Sequence, residues 1–215
     1  MALLLNTEIE YQAFPGRYHE QMQHLIGQGG TPMSVADVMR RRLDVTDAAP
    51  AVRKAWLDKH VDTGDAVLYH PNGKVKVVLD APPLRALRKE SNLTDLIDHD
   101  AYHHLPGVEF ERDEIITGTP LAKQDVLTSL LWRTLARDVA LLRSYRDLVY
   151  RDATCRFGHT EAMGIYVEPP EASRDRIILR PWYVNSRFGG STLVGDCSIG
   201  WDDSRLGGAL PARFE

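Results

Sequence analysis

The sequence predicts an α+β fold in which helices pack on a mixed or antiparallel sheet. Strand-like segments lie near both ends of the chain, a hairpin signal lies between them, and helical periodicity fills much of the remainder. Because a sheet and its helices each bury an apolar face against the other, these segments favour one layered unit. We therefore expect a single domain over 1–215, and the alternative is a division into 1–118 and 119–215.

The N-terminal third predicts one strand followed by three helices. Residues 2–12 alternate apolar and polar side chains as a strand does, and Gly16 ends them. Apolar residues at helical spacing follow from Tyr18, and Pro50 starts the third helix. The middle helix opens with a capping box of Ser34 and Asp37. Its expected buried stripe leaves three arginines mostly outside: Arg40, Arg41 and Arg42.

A β-hairpin is the clearest local signal. Asn72-Gly73 supplies the positive φ angles of a tight connection between strands at 66–70 and 74–79. Lys74 and Lys76 alternate with valines, which predicts that this face of the second strand is solvated.

The second half predicts helices and then strands. Thr119-Pro120 resembles a helix start, and leucines recur every three or four residues to about Tyr150, which indicates one helix or a pair. Strands are expected within 163–167, 176–184 and 191–194, because proline and glycine pairs separate these apolar segments.

A His-Asp-x-x-His segment is one candidate metal site. A helix would present His99 and His103 on one side as two ligands, with Asp100 in the place of the glutamate base that zinc hydrolases of this pattern carry. Such a site would hold zinc, with a third ligand from the acidic residues at 109–114. The competing interpretation is a short surface helix capped by Asp98 or Asp100, with solvated histidines.

The cysteines and the C-terminal aspartates favour ordinary structure. Cys155 could begin a zinc half-site with His159, but Cys197 has no near partner, so we expect two buried, unreactive thiols. Three aspartates near glycines could hold calcium or magnesium, yet turn chemistry is the better prediction for Asp196, Asp202 and Asp203.

Arginines and aromatic residues interleave near the C-terminus. Such a surface could stack nucleic-acid bases or anchor a protein interface. The plain alternative places Trp182 and Tyr183 on opposite faces of a strand, one buried and one half-exposed. The candidate binding residues are Arg176, Arg180, Trp182, Tyr183 and Arg187.

Composition narrows the function classes. The formal charge of −4 gives no global basic field for nucleic acid, and 43% hydrophobic residues suffice for a core. No apolar run approaches the roughly 20 residues that span a bilayer, so we expect no membrane partner. Two cysteines and no basic leader predict a cytoplasmic protein.

These observations favour a non-catalytic binding or assembly protein that acts as a subunit of a larger complex. Its expected partner is another protein or a second copy of the chain. One alternative is a metal-dependent hydrolase centred on the segment from Asp98 to His104. A second is a nucleic-acid-binding module that uses the C-terminal strands. The sequence has no phosphate loop, because Gly27-Gln28-Gly29-Gly30 lacks the lysine and hydroxyl residue of that motif.

Overall fold

The computed structural model describes residues 9–87, 97–186, 190–195 and 205–211. The helices are α1 (Tyr18–Gly27), α2 (Val35–Asp44), α3 (Pro50–Leu57), α4 (Pro82–Arg85), α5 (His99–His104), α6 (Leu130–Ala136) and α7 (Val139–Phe157). The strands are β1 (Ile9–Pro15), β2 (Thr31–Pro32), β3 (Val61–Tyr69), β4 (Lys74–Val78), β5 (Val108–Glu111), β6 (Leu121–Ala122), β7 (Glu161–Ala162), β8 (Ile165–Tyr166), β9 (Ile178–Val184), β10 (Leu193–Val194) and β11 (Arg205–Pro211). In this part of the chain no helix is long and apolar enough to span a membrane.

One mixed sheet organises the molecule and confirms the predicted fold class. Its strand order is β1-β11-β3-β9-β10-β8, with β4 pairing β3 and β5 pairing β4. Most neighbours are antiparallel, whereas β11 runs parallel to β3 and β10 runs parallel to β8. The N-terminal strand, the central hairpin and the C-terminal strands therefore join in one sheet.

Helices cover both faces of this sheet. Val67 and Tyr69 of β3 pack into one apolar cluster, and the alternate residues Ala66 and Leu68 pack into the other. Residues of α2, α3, α6 and α7 contribute to the first cluster, and residues of α1, α4 and α5 to the second. Successive side chains of a strand point to opposite faces, so β3 is buried on both.

Several local predictions are confirmed. Ser34 accepts a hydrogen bond from the Asp37 backbone amide while Asp37 caps in return, and α3 begins at Pro50. The Asn-Gly hairpin joins β3 to β4. The long periodic stretch forms a pair of helices, which separate where Arg137 adopts a left-handed φ of 61°.

Other predictions from local pattern are wrong. Thr119-Pro120 does not start a helix, because this dipeptide precedes β6 and α6 begins only after its cap at Ser129. Cys155 is an exposed thiol. Cys197 and the aspartates at 196, 202 and 203 lie outside the described residues, as do residues 1–8 of the expected first strand.

Two basic side chains expected in solvent are buried. Lys76 is 4% exposed. Its ammonium group donates to the Tyr102 carbonyl at 2.7 Å and pairs with Glu109 at 3.1 Å. Arg42 is 1% exposed and enters the core from the last turn of α2. In both cases fixed acceptors replace the water that a buried cation loses.

A bulge in β3 anchors the start of α2. The register between β3 and β9 shifts between Asp62 and Ala66, which frees Asp65 from the ladder. Its carboxylate accepts hydrogen bonds from the amides of Val35 and Asp80, at 2.8 and 2.9 Å, and from Arg137 at 2.7 Å. Burial raises the pKa of Asp65, and these donors act in the opposite direction.

Candidate binding site at the loop end of the sheet

Strands β3, β9, β10 and β11 each have one terminus at the same end of the sheet. Val184, the last residue of β9, lies opposite Val61 of β3 and Leu193 of β10. Leu206 of β11 lies beside Asp62. The connection 185–192 therefore starts and finishes at this end, and the connection 195–204 finishes there. We call this edge the loop end.

A cavity of about 400 Å³ opens at the loop end. Its volume falls in the range of roughly 300–1,000 Å³ that is typical of ligand pockets. We call it the loop-end pocket; it is lined by Pro120, Gly158, His159, Thr160, Glu161, Ala162, Gly190 and Thr192.

Strained backbone lies next to three of the lining residues, Ala162, Gly190 and Thr192. Met163 and Ser191 are not glycines, yet they have positive φ angles of 50° and 52°. The Met163 amide donates to the Gly190 carbonyl at 2.8 Å, and the Ser191 amide donates to the Ser186 carbonyl at 3.0 Å. Such conformations cost about 1–3 kcal/mol each and persist only where neighbouring contacts impose them. The hydrogen bonds supply those contacts here.

Arg42 fastens the connection 185–192 from inside the protein. Its guanidinium donates to the carbonyls of Asn185 and Val184, at 2.7 and 3.2 Å, and to the Ser191 hydroxyl at 3.3 Å. The remaining contacts tie the same group to neighbouring elements through the Trp56 carbonyl, the Lys59 carbonyl and the Tyr145 hydroxyl. All six acceptors are neutral. The positive charge is thus stabilised by oriented dipoles, and sequence periodicity gave no sign of this role.

The end of α7 forms the rim. Phe157 is 43% exposed, and its ring stacks on His159 with centroids 6.0 Å apart. Beneath the rim, the Tyr150 hydroxyl donates to the Leu121 carbonyl at 2.6 Å and also contacts the Ala162 carbonyl. Burial raises the pKa of Tyr150 to about 12, so this hydroxyl keeps its proton at neutral pH.

The described members of the predicted arginine and aromatic site do not share one surface. Trp182 is fully buried, so its ring is closed to a partner, and Tyr183 on the other face is half-buried against His60. The plain strand interpretation therefore describes this pair. Arg180 pairs with Glu168 at 2.8 Å, and Arg176 is exposed. Arg187 lies outside the described residues.

The structure brings the predicted metal residues onto a short helix. Asp98 caps α5 by accepting from the Ala101 amide at 2.7 Å, and Asp100 and His103 are exposed. The close neighbour of His99 is His70, whose Nε2 lies 3.1 Å from Nδ1 of His99. Among the residues that the structure describes, no three histidine, cysteine, aspartate or glutamate side chains converge to hold a metal ion.

His70 is a contact that sequence reasoning missed, since 29 residues separate it from His99. Its Nδ1 accepts from the Asn72 amide at 3.1 Å, so the neutral ring carries its proton on Nε2, toward His99. Burial lowers the pKa of His70, and the nearby His99 and His103 lower it further. The Asn72 bond and Glu109 act in the opposite direction.

Comparison with known proteins identifies a fold and no family. No protein-family model matches the chain, and no curated protein matches it either. A solved chain described as "Accommodation of massive sequence variation in Nanoarchaeota by the C-type lectin fold" is similar, with a TM-score of 0.68 and 10% sequence identity. The similarity covers 96% of this chain and 99% of that chain. The protein therefore has a C-type lectin-like fold.

Proposed function

We propose that this protein is a non-catalytic binding protein and that it holds a partner protein at the loop-end pocket. One observation carries the proposal: residues beneath the pocket hold its backbone in place, and the exposed side chains of His159, Thr160 and Glu161 are not among them. The fixing groups are Arg42, Tyr150 and the strained residues Met163 and Ser191. Such pre-organisation lowers the entropy lost on binding.

The exposed side chains can then vary without loss of the fold. His159, Thr160 and Glu161 are exposed, and Thr160 and Glu161 make no side-chain hydrogen bond among the described residues. The similar Nanoarchaeota chain is described as accommodating massive sequence variation on this fold. For this chain we propose a division of roles, with a constant framework beneath and a changeable binding surface above.

The chemistry of the surface favours a protein partner. Phe157 provides a 43% exposed aromatic ring beside the lining residue His159, on which it stacks. Aromatic residues and arginine are the usual anchors of protein interfaces. The net charge of −4 gives no general attraction for nucleic acid.

Site-specific photo-crosslinking tests the proposal. A benzophenone amino acid is placed at Thr160 in the pocket or, as the control, at Glu20 on exposed α1. Each protein is illuminated in extract of its native cells, and the adducts are identified by mass spectrometry. We expect one protein, or a second copy of this chain, to be captured from Thr160 alone. Equal capture from both positions, or capture from neither, would contradict the proposal.

A charge-reversal pair then measures affinity for the purified partner. We expect Glu161→Arg to weaken binding about tenfold or more, and Glu20→Arg by less than about twofold. Both variants should keep the melting temperature within about 2 °C, because both side chains are exposed. Unchanged affinity in Glu161→Arg would remove the pocket from the interface.

A further inference from the structure

A second cavity, of about 310 Å³, opens beside the start of α6. Its floor is apolar and buried, and it is built by Phe110, Ile115, Leu121, Leu131 and Ile165. Its mouth carries two exposed apolar side chains, Ile116 at 63% and Leu130 at 53% exposure. We call it the apolar cavity. Exposed aliphatic groups around an apolar floor are typical of a site for an apolar ligand.

Two carboxylates also line the apolar cavity. Glu114 and Asp125 form no ion pair with a basic residue in the described part of the chain. The Glu114 carboxylate accepts the Glu111 amide at 3.0 Å, which holds it in place. Both side chains are exposed, and carboxylates only accept hydrogen bonds, so a ligand whose polar group reaches them has to donate, and positive charge on that group strengthens the contact.

The positive end of the α6 dipole does not outweigh the preference of this cavity for a cationic group. A helix N-terminus carries about half a positive charge at most, and its effect fades within one turn. Here the Ser129 hydroxyl accepts the Trp132 amide, so one free donor of that turn is already used. Two full negative charges at the mouth therefore outweigh the helix.

We propose that the apolar cavity binds a small amphipathic monocation. Its apolar body lies against Leu121, Leu131 and Ile165, and its ammonium group lies between Glu114 and Asp125. The residues of this cavity differ from those of the loop-end pocket, so the two sites can be tested separately.

Three probes with one apolar body and different charges test this site: phenethylamine, 2-phenylethanol and phenylacetate. Each is titrated into labelled protein at low salt, and amide shifts are followed by NMR. We expect shifts at Ile116, Thr128 and Leu130, with phenethylamine binding about three- to tenfold tighter than the alcohol and phenylacetate binding weakest. The advantage of the amine should shrink as salt is added.

Matched variants separate charge from shape. Glu114→Gln with Asp125→Asn should abolish the advantage of the amine over the alcohol. The control, Glu10→Gln with Asp47→Asn, removes two exposed carboxylates elsewhere and should change neither. Thr128→Trp, which fills the mouth, should block all three probes.

Two results would overturn the inference. One is the absence of localised shifts with any probe at about 10 mM, a level that detects even weak ligands. The other is an amine that binds no better than the alcohol, or that keeps its advantage in the Glu114 and Asp125 variant. The loop-end proposal would survive either result, because its crosslinking test uses other residues.

Discussion

A buried charge fixes each end of α2. The charge at the start is negative and has a charged partner, whereas the charge at the end is positive and has only neutral hydrogen-bond acceptors. At the first turn, Asp65 of β3 accepts the Val35 amide and shares a salt bridge with Arg137. At the last turn, Arg42 of the helix itself donates to six neutral oxygens. An anion at a helix start and a cation at a helix end both complement the helix dipole.

The difference lies in what each charge holds. Asp65 joins α2 to a strand bulge, and its partner Arg137 remains partly in water, with 30% of its side chain exposed. Arg42 joins α2 to the connection 185–192, and its own side chain is 1% exposed. Solvent at Arg137 can thus moderate a loss at Asp65, whereas a loss at Arg42 leaves several acceptors, most of them buried, without their donor.

The largest predicted effect is at Arg42. Arg42→Met should lower the free energy of unfolding by about 3–5 kcal/mol, because several acceptors lose their donor at once. Arg40→Met is the matched control: its exposed ion pair with Asp37 contributes about 0–1 kcal/mol. Urea unfolding measures both, and hydrogen exchange should accelerate at 184–186 and 190–192 in the Arg42 variant alone. Similar losses in the two variants would contradict the role assigned to Arg42.

Asp65→Asn should cost less, about 2–3 kcal/mol. The Val35 and Asp80 amides donate to different oxygens of the carboxylate, so the single oxygen of asparagine can keep only one of these bonds, and the charge that pairs with Arg137 is lost. A double-mutant cycle with Arg137→Met measures this pair. Additive losses would show that Asp65 acts through the backbone amides and not through Arg137.

Removing the cap of α2 is predicted to cost about 1 kcal/mol. Ser34→Ala deletes the acceptor of the Asp37 amide, whereas Ser34→Thr retains it. Thermal unfolding should therefore show a loss for alanine and little change for threonine. Equal losses would indicate crowding at Ser34, which is buried, and no capping effect.

The smallest predicted effect is a pH dependence at His70. Its folded pKa lies below the unfolded value of about 6.5, so the unfolded chain binds the proton first. Stability should therefore fall as pH drops from about 7.5 through 6.5 and level off below the folded pKa. His70→Asn keeps an acceptor for the Asn72 amide and should flatten this slope. His104→Gln, on the exposed side of α5, should leave the slope unchanged.

Local chemistry made much of the fold predictable. The capping box at Ser34, the Asn-Gly hairpin and the periodicity of α6 and α7 depend on residues close in sequence. Strand β11 gave no such signal, because Gly207-Gly208 disfavours a strand. The glycines are needed for packing: a Cβ at position 208 would meet Leu25 and Phe14 within 2.7 Å.

The candidate site was less predictable, because its contacts join residues that are far apart in the sequence. Arg42 and Lys76 followed a polar pattern along the sequence, and only their distant acceptors show why they are buried. His70 meets His99 through tertiary packing, and the loop-end pocket combines residues from four separate stretches between Pro120 and Thr192. Trp182 and Tyr183 were correctly described by the simpler alternative, because strand alternation alone decides which one is buried.

The pairing of β1 with β11 determines how the molecule can be attached to something else. Ile9 lies opposite Pro211, so the first and last described residues are neighbours. Both lie at the far end of β11 from Arg205, which leads out of the loop end. A group attached at Ile9 or Pro211 would therefore lie at the end of β11 opposite the loop end, roughly 20 Å from Arg205, which is the length of a seven-residue strand.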